Sequence, residues 1–331
     1  MWGAFTTIGG QARNYIAKLS TTGTGAANAT WNPNPSGGSS GTIILALALS
    51  GTDLYVGGGF GSIGGLNRNN IAKLSTTGTG TADAIWNPNT NFWVFTLALS
   101  GTDLYVGGLF SAIDGISRNN IARIQKSNLE LDLTWNPNAN FQVLAFALSG
   151  TDLYVGGSFT SIGGHSRNRI AKLSTTGAGE ADATWNPNAS SFVQALALSG
   201  TDLYLGGAFT TIGGKSRNWI AKLSTTSTGA ADATWNPNGS GGAFPWVYAL
   251  ALSGTDLYVG GEFITIGGQS RNSIAKLSTT GAGAADATWN PNASGPVFAL
   301  ALSGTDLYVG GDFISIGGQS LSGFALVDIG F

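Results

Sequence analysis

Glu262 and Asp312 occupy the same place in two successive copies of a "GGxF" motif. Paired carboxylates on one face are the raw material of glycosidases and of cation sites. The same spacing also suits two unrelated, solvated acids. His165 is the only histidine in the chain. A serine–histidine–acid triad would have to be built around it, yet it stands where other copies of the motif carry Gln, Lys or Leu, and no strained nucleophile motif accompanies it. It reads as an exposed loop residue. Neither the Gly-Gly pairs nor "GGQSRN" makes a phosphate cradle, because no helix follows them. The chain has no cysteine, which excludes disulfides, thiolate chemistry and Cys-type zinc sites. No catalytic residue, metal site or cofactor is therefore expected, and a carboxylate-dependent hydrolase ranks third among the function classes.

Most of the remaining charge is periodic and belongs to a framework. Of 15 basic and 17 acidic residues, six Asp lie in "SGTD" turns, six Arg open an "IAKL" run, six Lys or Arg lie inside that run, and five Asp precede "ATWNPN". Turn chemistry and pairing between neighbouring copies account for them, with Arg suited to bidentate contacts. The non-periodic charges are Asp114, Lys126, Glu130, Arg169, Glu180, Lys215, Glu262, Asp312 and Asp328. A net charge of −2 lacks the clustered Lys and Arg that nucleic acid or an anionic membrane requires. No apolar run approaches the ~18 residues of a membrane helix, so no membrane insertion is expected. No signal peptide is visible, and Met1 leads into "WGAF" partway through a repeat, which points to a mature or engineered boundary.

The elements that must position these residues come from internal repetition. The Tyr of "DLYVGG" or "DLYLGG" recurs at Tyr55, Tyr105, Tyr154, Tyr204, Tyr258 and Tyr308, at intervals of 49 to 54 residues. Each unit holds four short apolar runs separated by Gly, Ser, Thr, Asp and Asn clusters: a leading "ALALS", a middle "DLYVGG", a third "NIAKLS" and a fourth "ATWNP". Such runs read as strands. Four strands repeated at this period imply an all-β fold, a β-propeller of four-stranded blades forming one domain over 1–331, about six and a half repeats of roughly 50 residues. The runs number 25, one more than six blades need, so six blades fit best and seven is the alternative. The N-terminal half-unit is expected to complete the blade begun at Val297 to Gly311 and so close the ring from both ends of the chain.

The string "FALALSGTDLYVGGxFxxIGGxSRNxIAKL…ATWNPN" resembles the delta-60 repeat family of bacterial propeller-like proteins over nearly the whole chain, and "RNNIARIQKSNLELDLTWNPN" comes nearest to the family wording. The resemblance implies a secreted or cell-surface setting in bacteria, with no assigned activity and no catalytic residues to carry over.

Positions identical in every copy serve the scaffold, and positions that differ are free for something else. "WNPN" is fixed, on this reading, because its Pro ends the fourth strand, and the variable segments after it are loop. Alternating strand direction places the fourth-to-first and second-to-third connections on one face. Loops on a rigid scaffold commonly carry binding. The expected function is a non-catalytic secreted or surface module recognising a glycan or a surface protein through Phe92, Trp93, Phe141, Phe192, Trp219, Phe244 and Trp246. The alternative is a structural, self-assembling surface protein that exchanges its surplus half-blade between copies. The chain would then be either a monomer or a strand-exchanged oligomer.

Overall fold

A computed structural model describes residues 5–23, 25–38 and 41–329. They contain no helix, and so none long and apolar enough to cross a membrane. The chain divides into two compact units, one ending at Val143 and one beginning at Leu144. Six three-stranded antiparallel sheets recur among the described residues. Their leading strands, which number the repeats from one to six, are Ile43–Ser50, Val94–Ser100, Val143–Ser149, Val193–Ser199, Val247–Ser253 and Val297–Ser303.

Repeat four shows how the sequence produces this unit. Its leading strand Val193–Ser199 turns through Gly200-Thr201 into the middle strand Asp202–Gly207, with Ser199 opposite Asp202. The middle strand pairs on its other edge with the third strand Ile220–Ser224. Both of its edges are occupied, which fits a strand whose residues from Leu203 to Gly207 are all buried. Gly206 has no side chain because a Cβ there would lie 2.4 Å from Val247 of the next repeat. The connection to the third strand is not an open loop, as the sequence reading expected, but a second hairpin. Thr211–Ile212 pairs with Lys215–Ser216 around Gly213-Gly214, whose φ values of 58° and 76° are those of a two-residue type I′ turn. In repeat two the turn is Asp114-Gly115, with φ of 49° and 73°, the other common I′ pair. His165 begins the returning strand of its hairpin opposite Ile162 and is exposed.

Among the described residues no fourth strand forms. Where "ATWNP" was expected to form a ladder, repeat four has the single bridge Leu223↔Ala231. One carboxylate oxygen of Asp232 accepts from the N–H groups of Thr234 (2.8 Å) and Trp235 (2.9 Å). Those are the donors a ladder would use, and Pro237 has none to give.

The fixed tetrapeptide thus has a different reason. The Trp235 ring meets Tyr204 of its own sheet edge-on, centroids 5.3 Å apart, while its Nε1–H donates to the Ser278 carbonyl of the next repeat at 2.8 Å. Asn236 N–H donates to Ala282 O (3.0 Å), and Pro237 O accepts from Gly267 N–H (2.7 Å), both in that next repeat. Asn238 ends the segment in the left-handed region, φ 45°, where Asn is tolerated better than most residues. Trp31 and Trp185 make the same indole bond, to Ser75 and Ser224. "WNPN" is a clasp between consecutive repeats, and each of its four residues has a task.

The periodic charges are arranged differently from expectation too. Arg217, 5 % exposed, donates to the carbonyls of Ser216 (2.7 Å) and Asp232 (2.5 Å) in its own repeat, not to a carboxylate across a boundary. The in-strand cations bind the carboxylates: Lys222 lies 3.4 Å from Asp202 and 3.2 Å from Asp232, and Lys276 lies 2.7 Å from Asp286. At Asp83, burial raises the carboxyl pKa, but Lys73 and the N–H groups of Trp86 and Ile85 outweigh it and hold the group at about 2. Asp132, Asp182, Asp232 and Asp286 are held low in the same way. A carboxyl depressed below its unfolded value of about 3.9 contributes stability above that pH, and the contribution is lost as pH falls through the folded value. Unfolding free energy should accordingly change little between pH 7 and 5, then fall below about pH 4. Asp232→Asn should shallow that decline in an acid-unfolding series, whereas an unchanged slope would remove Asp232 from the account.

Two expectations about the chain ends also change. The N-terminal "NYIAKLS" follows no complete "DLYVGG" strand, and the described residues there form a hairpin, Thr7–Ile8 with Gln11–Ala12, and one bridge, Leu19↔Ala27. The "GAF" stub lies largely outside the described residues. In repeat six the Asp306–Gly311 strand pairs with Val297–Ser303 on one edge and Phe324–Asp328 on the other. The third-strand place beside Asp306–Gly311 is thus held by Phe324–Asp328 and not by the N-terminal half-repeat.

Candidate functional site

The leading strands carry a feature that repetition hides. In repeats four, five and six the pairing register slips between Val193 and Ala195, Val247 and Ala249, and Val297 and Ala299, which leaves Gln194, Tyr248 and Phe298 as bulge residues. A bulge re-aims its side chain. In the second unit this joins strand residues to loop residues in one aromatic array. Trp246 meets Phe192 edge-on at 4.9 Å, Phe244 at 5.4 Å and Tyr248 at 6.2 Å, and Tyr248 meets Phe298 at 5.1 Å. Phe244 is 58 % exposed, and the other four rings are half-buried. Glu262 N–H donates to Trp246 O at 3.0 Å, so its residue borders the array. Burial, and then the Glu262 charge, push the Tyr248 hydroxyl up to about 12. It is a proton donor throughout the physiological range. Stacking surface edged by one hydroxyl and one carboxylate can hold a ligand that has apolar faces and polar rims.

The remaining expected residues are dispersed. In the first unit Phe92 stacks on Trp93 (5.7 Å) and Trp93 meets Phe95 edge-on (6.2 Å). Trp93, however, packs so closely on Gly59 that a Cβ there would come within 2.4 Å of its Nε1; it fills a repeat boundary. Phe141 stands in an exposed loop of that unit. Trp219 has φ 67°, a strained value for a bulky residue, and its ring covers Gly239. Where Trp219 stands, repeats one and two have Asn70 and Asn120, which reach the next repeat's loop by hydrogen bonds to Thr90 O and Ala139 O. Trp219 makes that same junction by packing. Glu262 and Asp312 keep equivalent places in successive repeats, each N–H bonded to the residue before its leading strand (Trp246 O and Pro296 O), with no bond between the two recorded among the described residues. Those residues contain no cluster of three or more His, Cys, Asp or Glu able to hold a metal.

The Trp219 junction gives a prediction. A Cβ on Gly239 would lie 2.8 Å from the ring, and only this repeat has both Trp and Gly at the two places. Gly239→Ala should destabilise by about 1–3 kcal/mol, as overpacking does, and Trp219→Asn should remove most of that penalty. Additive losses in the thermal unfolding of the double variant would refute the coupling.

Comparison with known proteins fits this geometry. A family model described as a domain of unknown function (DUF5122) beta-propeller matches residues 54–80, 104–134, 153–180 and 257–283. The crystal structure of the WD40 beta propeller domain of Doa1 superposes with a TM-score of 0.54 at 14% identity, over 81% of this chain and 75% of that one. The chain is a β-propeller repeat protein. The computationally designed Ika8 protein is also similar, with a TM-score of 0.51 at 14% identity over 91% of this chain and 86% of that one. No curated protein matches the sequence.

Tyr248 and Phe298 escape sequence reasoning because they lie within the leading strands Val247–Ser253 and Val297–Ser303. A signal was present: the residue after the first Val is Phe95, Leu144, Gln194, Tyr248 and Phe298 in successive repeats, within strands that otherwise hardly vary.

Proposed function

We propose that this protein is a non-catalytic, extracellular or surface-located recognition module that binds a glycan on the array of Phe192, Phe244, Trp246, Tyr248 and Phe298, with Glu262 at its edge. The observation that carries the reading is the concentration of five rings in successive contact at positions the scaffold leaves free. Rings in clasps are consumed by packing; these are half-exposed and differ from repeat to repeat. Sugar faces stack on such rings, while the Tyr248 hydroxyl and the Glu262 carboxylate supply polar contacts to ring hydroxyls. The test is affinity electrophoresis through gels containing a panel of soluble polysaccharides. The parent should be retarded by at least one of them, and Trp246→Ala and Tyr248→Ala should each lose about tenfold or more in affinity, the effect of removing an anchor worth over ~1.4 kcal/mol. Equal retardation of parent and variants would contradict the assignment.

A further inference from the structure

Repeat two departs from its siblings in a way that opens a cleft. In repeats one, three, four and five the first Gly of the type I′ hairpin accepts a bond from the Ala beside the clasp: Ala82 N–H to Gly64 O (3.0 Å), Ala181 to Gly163 (3.0 Å), Ala231 to Gly213 (3.1 Å) and Ala285 to Gly267 (2.9 Å). The approach is so close that a Cβ on Gly213 would lie 2.4 Å from Ala231 N. Repeat two places Asp114 and Leu131 at these positions, and no such bond joins them. Leu133 replaces another Ala. Larger side chains prop hairpin and clasp segment apart. The space between them is a cleft of about 520 Å³ lined by Asp114, Ile116, Leu131, Leu133, Glu130 and neighbours, a size that accommodates a small ligand or a few peptide residues.

The walls combine two chemistries. Ile116 and Leu133 are exposed, Leu133 to 67 %, and Leu131 and Leu133 offer more aliphatic surface than the Ala of the sibling repeats. Three carboxylates line the same cleft, of which Asp132 is engaged by Arg123. The Glu130 carboxylate accepts from the neutral amide of Asn128 (3.2 Å), and Asp114 is exposed. The nearby cation Lys126 points instead to Ser50 of repeat one. The cleft is therefore negative and apolar at once.

We propose that this cleft is a docking site for a short, extended, basic peptide segment of a protein partner, in which lysine or arginine alternates with aliphatic residues. Side chains of an extended segment alternate in direction, so the aliphatic ones rest on Ile116, Leu131 and Leu133 while the cationic ones face Asp114 and Glu130. The site lies in the unit ending at Val143, separate from the aromatic array, and stands or falls independently of glycan binding.

Fluorescence anisotropy with a labelled hexapeptide of alternating lysine and leucine tests it on the full chain. Saturable binding below about 1 mM is expected, falling about tenfold or more in Asp114→Asn/Glu130→Gln and in Leu133→Ala, and weakening with added salt. Asp114→Gly/Leu131→Ala restores the sibling closure and should abolish binding. Glu180→Gln, which removes an acid at the Glu130 position of a closed repeat, should leave it unchanged, as should Trp246→Ala. No saturable binding of the Lys-Leu peptide, equal binding of a Glu-Leu peptide, or affinity unaffected by the cleft substitutions would each overturn the proposal.

Discussion

Trp235→Ala is expected to lower the unfolding free energy by about 3–5 kcal/mol, the range for deleting a fully buried large aromatic side chain. The ring has no exposed surface, is edge-on to Tyr204, and donates to Ser278 O in the next repeat. Deletion removes a buried contact between two sheets that also share the packing of Tyr204 and Ile220 against Val247 and Val259, and in a repeat fold stability rests on such nearest-neighbour contacts. Trp235→Phe separates the contributions. It keeps an apolar ring against Tyr204 and loses the indole donor, for a cost of about 1–3 kcal/mol. Urea unfolding at neutral pH measures both. A change below ~0.5 kcal/mol in the Ala variant would show that the clasp does not hold the repeats together.

Arg217→Ala should be nearly as damaging, at about 2–4 kcal/mol, because hydrogen bonds from a charged donor are worth roughly 1.5–3 kcal/mol each and the buried Arg217 side chain would leave a void. The guanidinium ties Ser216 O, at the end of the hairpin, to Asp232 O, at the start of the clasp. One side chain thus holds two irregular segments on the edge of the third strand. Arg217→Lys should fail almost as badly, since an ammonium lacks the planar fork that spans both acceptors. A Lys variant as stable as the parent in the same urea series would mean that charge alone suffices there.

Much of this architecture can be read from the repeat. The alternating "ALALS", the two-residue turn closing on Asp202 and the Gly pair beneath Val247 follow from strand periodicity, turn chemistry and close approach, all local properties. The clasp was misread because Trp-Asn-Pro-Asn also looks like the end of a strand. What decides against a strand is the Asp232 carboxylate, three residues before Trp235, which takes the N–H groups a ladder needs. The hairpin at Gly213-Gly214 reads as loop because its two-residue arms are too short for a strand signal, although two consecutive glycines suit a type I′ turn. Among the expected site residues, Phe192, Phe244 and Trp246 do come together, and Glu262 lies beside them. Trp93 and Trp219 do not, because Trp93 packs on Gly59 of the preceding repeat and Trp219 on Gly239 beyond the clasp of its own, and glycine gives no sequence signal for the ring above it. Tyr248 and Phe298 entered only through the register slip, which depends on strand pairing.

The account divides the tryptophans of one repeat into those that build and those that recognise. Measuring polysaccharide affinity and urea midpoint together on Trp235→Phe and Trp246→Ala tests that division most directly. The account predicts a crossed result: Trp235→Phe loses stability and retains the parent's affinity while folded, and Trp246→Ala, which removes a half-buried ring, loses less stability than the clasp variant and about tenfold or more in affinity. A Trp246→Ala protein that binds like the parent, or one that unfolds as early as the clasp variant, would contradict it.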